Sequence, residues 1–436
     1  MPHRRPRAAA LAALLLTLAA CTATSGKPDG GGPPVTQPPP GTQPPEGPVV
    51  NPGTGSPGGC LAGELLQQLG QERMLVGVNA PGNEGDAIAT AAPFTSRYRY
   101  LAGGIFTQDT PCARCDASCS ASWWGCWQDP AQPPGAYVRD FVAAAKRTGQ
   151  LPLVTYYELL HASGVAEGEA QLGAVTNAAL LRRLLNDWRF LLQQVGSERA
   201  LLHFEPDFWG YTQRFSNGRT PGQLPAAVRS ANPTDCAAQE DSIAGLGRCV
   251  VAMVRKYAPN AKVSLHASAW ATGIDVLNNQ DAALDVEAEA RKVADWLLAC
   301  GGAEADFITL DPLDRDAGYY QTVEGLDRWW NTSDSTLPNF AQAFRWSRAL
   351  SERMNKPNLW WQIPVGNMSL PNLPNRYRDN RVEVLFARTA DVVRSHGFGL
   401  AFGDGRDDQT NPTTDGDVLY GRVRALSTAG GQPPCP

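Results

Sequence analysis

The stretch Glu205-Pro206-Asp207-Phe208-Trp209-Gly210-Tyr211 sets two carboxylates on either side of a proline and follows them at once with aromatic rings. Asp311-Pro312-Leu313-Asp314-Arg315-Asp316 repeats the idea further along, and Asp404-Gly405-Arg406-Asp407-Asp408 forms a third acidic turn. Paired carboxyl groups do acid–base chemistry: one, kept protonated, delivers its proton to a leaving oxygen, and the other, ionised, activates water or attacks directly. Aromatic residues crowd the same segments: Trp209, Tyr211, Trp270, Tyr319, Tyr320, Trp329, Trp330, Trp360 and Trp361, with Trp123, Trp124 and Trp127 in a cysteine-rich loop. Their faces suit the flat C–H patches of sugar rings. Large aromatics also fill cores, and Trp361 is expected to do so between strand and helix.

Chemistry of this kind needs a scaffold that brings distant segments to one place. Short apolar, β-branched or aromatic runs at 74–79, 98–103, 151–157, 200–205, 262–267, 306–311, 358–364 and 397–403 alternate with amphipathic stretches at 137–148, 177–195, 241–257, 286–300, 339–354 and 381–395. Strands alternating with helices argue a parallel sheet with crossover helices, and this count predicts an α/β fold, a single (β/α)8 TIM-type barrel spanning 60–436. In such barrels side chains alternate between the interior and the helix layer, and active sites sit at the C-terminal strand ends. Leu202, Phe204, Val263, Leu265, Ile308 and Leu310 are then expected to face helices. His203, Glu205, Ser264, His266 and Ser268 face inward, while Asn79, Tyr157, Asp311, Gln362 and Asp404 arrive at the same end.

The Glu-Pro-Asp triplet closing a barrel strand resembles the motif of glycoside hydrolase family six, in which the aspartate of the triplet is the general acid. The resemblance implies that role for Asp207. His266-Ala267 with Trp270 nearby, and Gly403-Asp404-Gly405, are loosely similar to the same family; the family's earlier aspartate has no counterpart, since Tyr156-Tyr157-Glu158-Leu159-Leu160-His161 stands there. The largest hydrolase clan on this fold also has a glutamate after strand four, but with asparagine before it and a second glutamate after strand seven. Here Phe204 precedes Glu205 and strand seven ends Trp361-Gln362-Ile363-Pro364, so a retaining mechanism with that residue pair is not expected.

These features point to hydrolysis of a polysaccharide or oligosaccharide, with Glu205 or Asp207 as the acid and Asp311 or Asp404 as its partner. Asn79, Tyr157, Trp209, His266, Trp270 and Gln362 are the expected substrate-binding residues, and no metal or other cofactor is called for. Two alternatives stand beside it. Gln362, where an acid might stand, suits a non-catalytic glycan-binding protein on a degenerate barrel. His203, His266 and Asp311 are a possible zinc set for a metal-dependent hydrolase, although no His-x-His or His-Glu-x-x-His spacing occurs.

The N-terminus says where the chemistry takes place. His3, Arg4, Arg5 and Arg7 precede an apolar run from Ala8 to Ala20, too short to span a bilayer and ordered like a secretory signal. Leu18-Ala19-Ala20-Cys21 resembles the lipobox of bacterial lipoproteins, which implies a removed signal at 1–20, a lipidated Cys21 and attachment to a membrane of the cell envelope, the outer membrane being compatible with Thr22. Residues 22–59 are dominated by Pro, Gly, Ser and Thr and have almost nothing to build a core from, so 21–59 reads as an unfolded tether. It would reach roughly 35 Å as a flexible coil and about 100 Å if extended. A formal net charge of −5 and a pI near 5.6 offer no basic surface for nucleic acid. The domain is expected to work as a monomer.

Ten cysteines suit an oxidising compartment. With Cys21 lipidated an odd number is left. Cys60 and Cys435 bracket the domain and are expected to bridge, because barrel termini lie close together. Cys236 is expected to pair with Cys249, and Cys300 to be the free thiol. Cys112, Cys115, Cys119 and Cys126 read as two disulfides pinning a loop, with a structural zinc as the competing possibility.

Overall fold

The computed structural model describes residues 60–80, 84–105, 115–116, 119 and 121–435. The expected signal, Cys21, the tether and Cys112 lie outside the described residues. Eight strands, β1 (Leu75–Asn79), β2 (Ser96–Leu101), β3 (Leu151–Tyr156), β4 (Leu201–Phe204), β5 (Lys262–His266), β6 (Phe307–Leu310), β7 (Asn358–Ile363) and β8 (Gly397–Phe402), close into a barrel in chain order. All neighbours pair in parallel, and β1 meets β8 with Leu75 opposite Gly399 and Val78 opposite Phe402. The (β/α)8 expectation therefore holds.

The alternation of side chains works as expected in β4, β5 and β6. Leu202, Phe204, Val263, Leu265, Ile308 and Leu310 join one large core with helix residues such as Leu184, Trp188 and Val250, whereas Leu75, Leu153, Leu201, Phe307, Leu359 and Phe398 form a second core inside the barrel. The helix Leu61–Leu69 packs Ala62, Leu65, Leu66 and Leu69 into that inner cluster. Helix starts are set by side chains that accept orphan backbone N–H groups: Asn177 before Ala178–Val195, Ser242 before Ile243–Tyr257, Asp285 before Val286–Leu297 and Asn339 before Phe340–Met354. The amphipathic stretch at 381–395 forms two helices, Arg381–Ala387 and Thr389–Arg394, rather than one. Here the backbone of Arg388 leaves helical geometry at φ −119°, ψ 30°.

One expectation is corrected in β7. Trp360 packs outward on Phe344 and Trp330, and Trp361 lies inside the barrel against Tyr98, Tyr100, His203 and His266. Adjacent residues of a strand point to opposite faces, so only one of the pair can reach the helix layer.

Cys60–Cys435 and Cys236–Cys249 are bridged as expected, and Cys300 is a buried free thiol. Cys115 pairs with Cys126, and Cys119 is also disulfide-bonded, so these sulfurs are not thiolates available to a zinc ion. These bridges are consistent with an extracytoplasmic domain. Among the described residues no helix is long and apolar enough to cross a membrane.

Candidate active site

The C-terminal ends of the strands surround a cavity of about 720 Å³. Asn79, Tyr157, Asp207, Trp270, Asp311, Gln362 and Asp404, all expected at the mouth, line it. Three expected residues, Trp209, Glu205 and His266, do not line it. Trp209 is fully buried against Phe204 and Phe208, its indole Nε1 donating to the Phe204 carbonyl at 3.0 Å. Glu205 is also fully buried, and its Oε1 accepts from the backbone N–H groups of Glu158 (3.0 Å) and Leu159 (2.9 Å). The proline between Glu205 and Asp207 separates two environments, one in the wall and one at the cavity. His266 lies just behind the lining, 1% exposed, with its Nε2 2.9 Å from Asp311 Oδ1.

Asp207 and Asp311 differ in how they are held. Asp207 has no side-chain hydrogen bond among the described residues, and burial pushes its pKa up to about 7, with Asp311, Glu167 and Asp314 adding to the rise and His266 opposing it. It is thus half protonated near neutrality. Asp311, its side chain 20% exposed, is gripped on one oxygen by the His266 ring. Asp404 accepts from Asn79 Nδ2 at 3.2 Å. Gln362 is locked on both ends of its amide: Tyr100 donates its hydroxyl to Oε1 at 2.5 Å, and Nε2 donates to the Asp314 carbonyl at 3.3 Å. Gly405 lies so close to Gln362 and Asp314 that no β-carbon fits there.

Backbone strain gathers at this end of the barrel. Glu205, Asp207 and Gln362 all take positive φ, at 48°, 61° and 54°, a region disfavoured for residues with a β-carbon and often found at functional sites. Buried carboxylates hold the strained loops together. Glu205 pins the loop after β3, and Glu158 of that loop accepts from Gly104 N at 2.6 Å in the loop after β2. On the opposite side Asp316, after β6, accepts from Gly366 N (2.9 Å) and Thr410 N (2.8 Å), which lie beyond β7 and β8. Burial raises all three acids, Glu205 and Asp316 to about 8.

Several lining residues had escaped sequence reasoning: Tyr100, His161, Glu167, Asp275 and Arg328. Tyr100 was accessible in principle, since it alternates with inward-facing Tyr98 along β2. Glu167, which accepts from Tyr157 Oη at 3.1 Å, and Asp275, paired with Arg328 at 2.7 Å, sit in long loops without periodicity. Seven carboxylates and three arginines line the cavity. Each arginine lies beside an acid: Arg315 with Asp314, Arg328 with Asp275, Arg406 with Asp408. The lining is net acidic.

No family model matches the chain, and no curated protein does. Solved structures with a similar fold include a modular endo-β-1,4-mannanase of glycoside hydrolase family 26 from Cellulomonas fimi, at 15% identity and a TM-score of 0.49, over 85% of this chain and 74% of that one. A β-1,4-D-mannanase from Cryptopygus antarcticus aligns at 10% identity, with a TM-score of 0.45 over 84% and 94% of the two chains. A family 5 xyloglucan-specific endo-β-1,4-glucanase from a metagenomic library aligns at 11% and 0.45 over 84% and 99%. At these identities the likeness concerns the barrel alone.

Proposed function

We propose that the domain is a glycoside hydrolase, acting on a polysaccharide outside the cytosol, with Asp207 as general acid and Asp311 as its carboxylate partner. The observation that carries this reading is the asymmetry of the two groups: one cavity-facing carboxyl is held protonated up to about pH 7, and the other is oriented by an imidazole. Environments that push two carboxyls apart are how acid and base roles are assigned at one pH. Asp207 would protonate the departing glycosidic oxygen while Asp311 acts on water or on the anomeric carbon from the other side. Trp270 and Tyr211, with ring centroids 4.7 Å apart, offer an aromatic surface for a sugar ring at the edge of the cavity. Asp404 and Asn79 would bind hydroxyls, and the net acidic lining favours neutral or cationic glycans over polyuronates.

The test is release of reducing ends from a panel of neutral, amino-sugar and uronate polysaccharides. Asp207→Asn and Asp311→Asn should each abolish most of it; full activity in both would refute the assignment. A non-catalytic glycan-binding role is favoured by one feature, the amide of Gln362 fixed at the end of β7. Tight glycan binding with no reducing ends released would decide for it.

The N-terminal Leu-Ala-Ala-Cys sequence supports tethering to the cell envelope through a lipid on Cys21. Incorporation of labelled palmitate that vanishes in Cys21→Ser tests the tether.

A further inference from the structure

A line of buried polar groups runs across the barrel interior from β3 to the end of β6. Thr155 Oγ1 lies 3.4 Å from His203 Nδ1, His203 Nε2 lies 3.1 Å from His266 Nδ1, and His266 Nε2 lies 2.9 Å from Asp311 Oδ1. The strand register builds the line, for Thr155 is paired with His203 and His203 with Ser264 on successive strands. Thr155 and His203 are fully buried and His266 is 1% exposed. The two imidazoles meet edge to edge with centroids 5.1 Å and planes 21° apart, and Trp361 packs edge-on against both, so neither ring is free to turn. A barrel interior is ordinarily filled by branched apolar side chains. Two histidines in that layer call for a physical reason.

Proton counting supplies one. Burial and the neighbouring ring keep His203 neutral, so it has a single N–H to place. If that proton is on Nε2, it is donated to His266 Nδ1, and the proton of a neutral His266 must then sit on Nε2, aimed at Asp311. The Thr155 hydroxyl completes the order by donating to His203 Nδ1. If the order is reversed, the lone pair of a neutral His266 faces the Asp311 oxygen, and Asp311 must carry the proton. Of the two orders open to a neutral His266, only the first leaves Asp311 a carboxylate with its second oxygen available to the cavity.

We propose that His203 is a positioning residue: through its hydrogen bond it fixes the tautomer of His266 and so holds Asp311 as an oriented hydrogen-bond acceptor. The assignment rests on the reading of Asp311 as the partner of the acid, but its first test does not. Long-range proton–nitrogen correlation spectra of 15N-histidine-labelled domain, bridges intact, report ring tautomers directly. Both rings are expected to carry their proton on Nε2 at pH 7, with His203 staying neutral well below the ordinary imidazole range. A proton on Nδ1 of either ring overturns the proposal.

The second test uses His203→Phe, which keeps the aromatic packing and removes the donor, and His203→Gln, which can restore one. In His203→Phe, His266 should lose its single tautomer and kcat should fall about 10- to 100-fold, as when the partner of an orienting histidine is removed. KM should change less than about twofold. His203→Gln should recover most of the loss. A folded His203→Phe with unchanged kcat overturns the proposal. Should Asp311→Asn remain active while the tautomers are as stated, the functional role of Asp311 fails and the positioning of its side chain stands.

Discussion

The sharpest consequence of the structure concerns two acids one residue apart. Asp207→Asn exchanges an ionisable group for an amide at a position with no side-chain hydrogen bond among the described residues, and because burial opposes the charged form there, the neutral amide should leave stability unchanged or raise it at neutral pH. Loss of a positioned general acid costs about 10²- to 10⁴-fold in rate. Glu205→Gln should behave in the opposite way. A glutamine oxygen can still accept from the Glu158 and Leu159 N–H groups, and its new NH2 lies where Glu205 Oε2 has no partner. Activity should stay within about threefold, since no atom of Glu205 reaches the cavity. Glu205→Ala removes both acceptors, and two buried N–H groups left unsatisfied cost about 1–3 kcal/mol each, visible as a lower urea midpoint. The assay is reducing-end release on the best polysaccharide, repeated on an aryl glycoside whose good leaving group needs no protonation. Asp207→Asn should recover on the aryl substrate. Equal loss in Asp207→Asn and folded Glu205→Gln, with no recovery of the former, would refute the reasoning.

Other consequences follow from the same contacts. With Asp207 raised to about 7, kcat/KM should be highest below neutrality and fall about tenfold per pH unit above it; a flat profile between pH 6 and 9 would count against Asp207. Glu205 and Asp316, raised to about 8, and Asp187, raised to about 7, bind more protons in the native than in the unfolded chain. Their contribution to stability is therefore complete below the ordinary carboxylate range and is lost as pH rises from about 4 to about 8, so Tm should be higher at pH 5 than at pH 8. Trp270→Ala should raise KM with little change in kcat if the ring only binds sugar. Cys435→Ser opens a bridge that spans 375 residues and should cost about 2–5 kcal/mol by urea unfolding.

Much of the barrel was legible because its signals are local. Alternation of apolar runs with amphipathic stretches identifies strands and helices, and period-two alternation assigns His203 and His266 inward and Leu202 and Val263 outward without knowledge of the partner strands. The termini could be paired because a closed barrel returns the chain to its start, and Cys60 and Cys435 lie at those two ends. The Glu-Pro-Asp triplet likewise marked the right segment.

Which acid of that triplet faces the cavity could not be read along the chain. It depends on the positive φ of Glu205 and Asp207, which turns one carboxyl into the wall and the other into the opening. The same holds for Trp361, where two adjacent tryptophans give no cue as to which one points inward. Glu167 and Asp275 reach the cavity from loops whose paths are set by tertiary hydrogen bonds, not by periodicity. The sequence by itself determined the barrel, its bridged ends and the segments that meet at its mouth, because periodicity and chain order act over a few residues at a time. Tertiary structure decided the protonation of Asp207 and His203 and the pairing of His203, His266 and Asp311, because burial and hydrogen bonding between strands exist only once the barrel has closed.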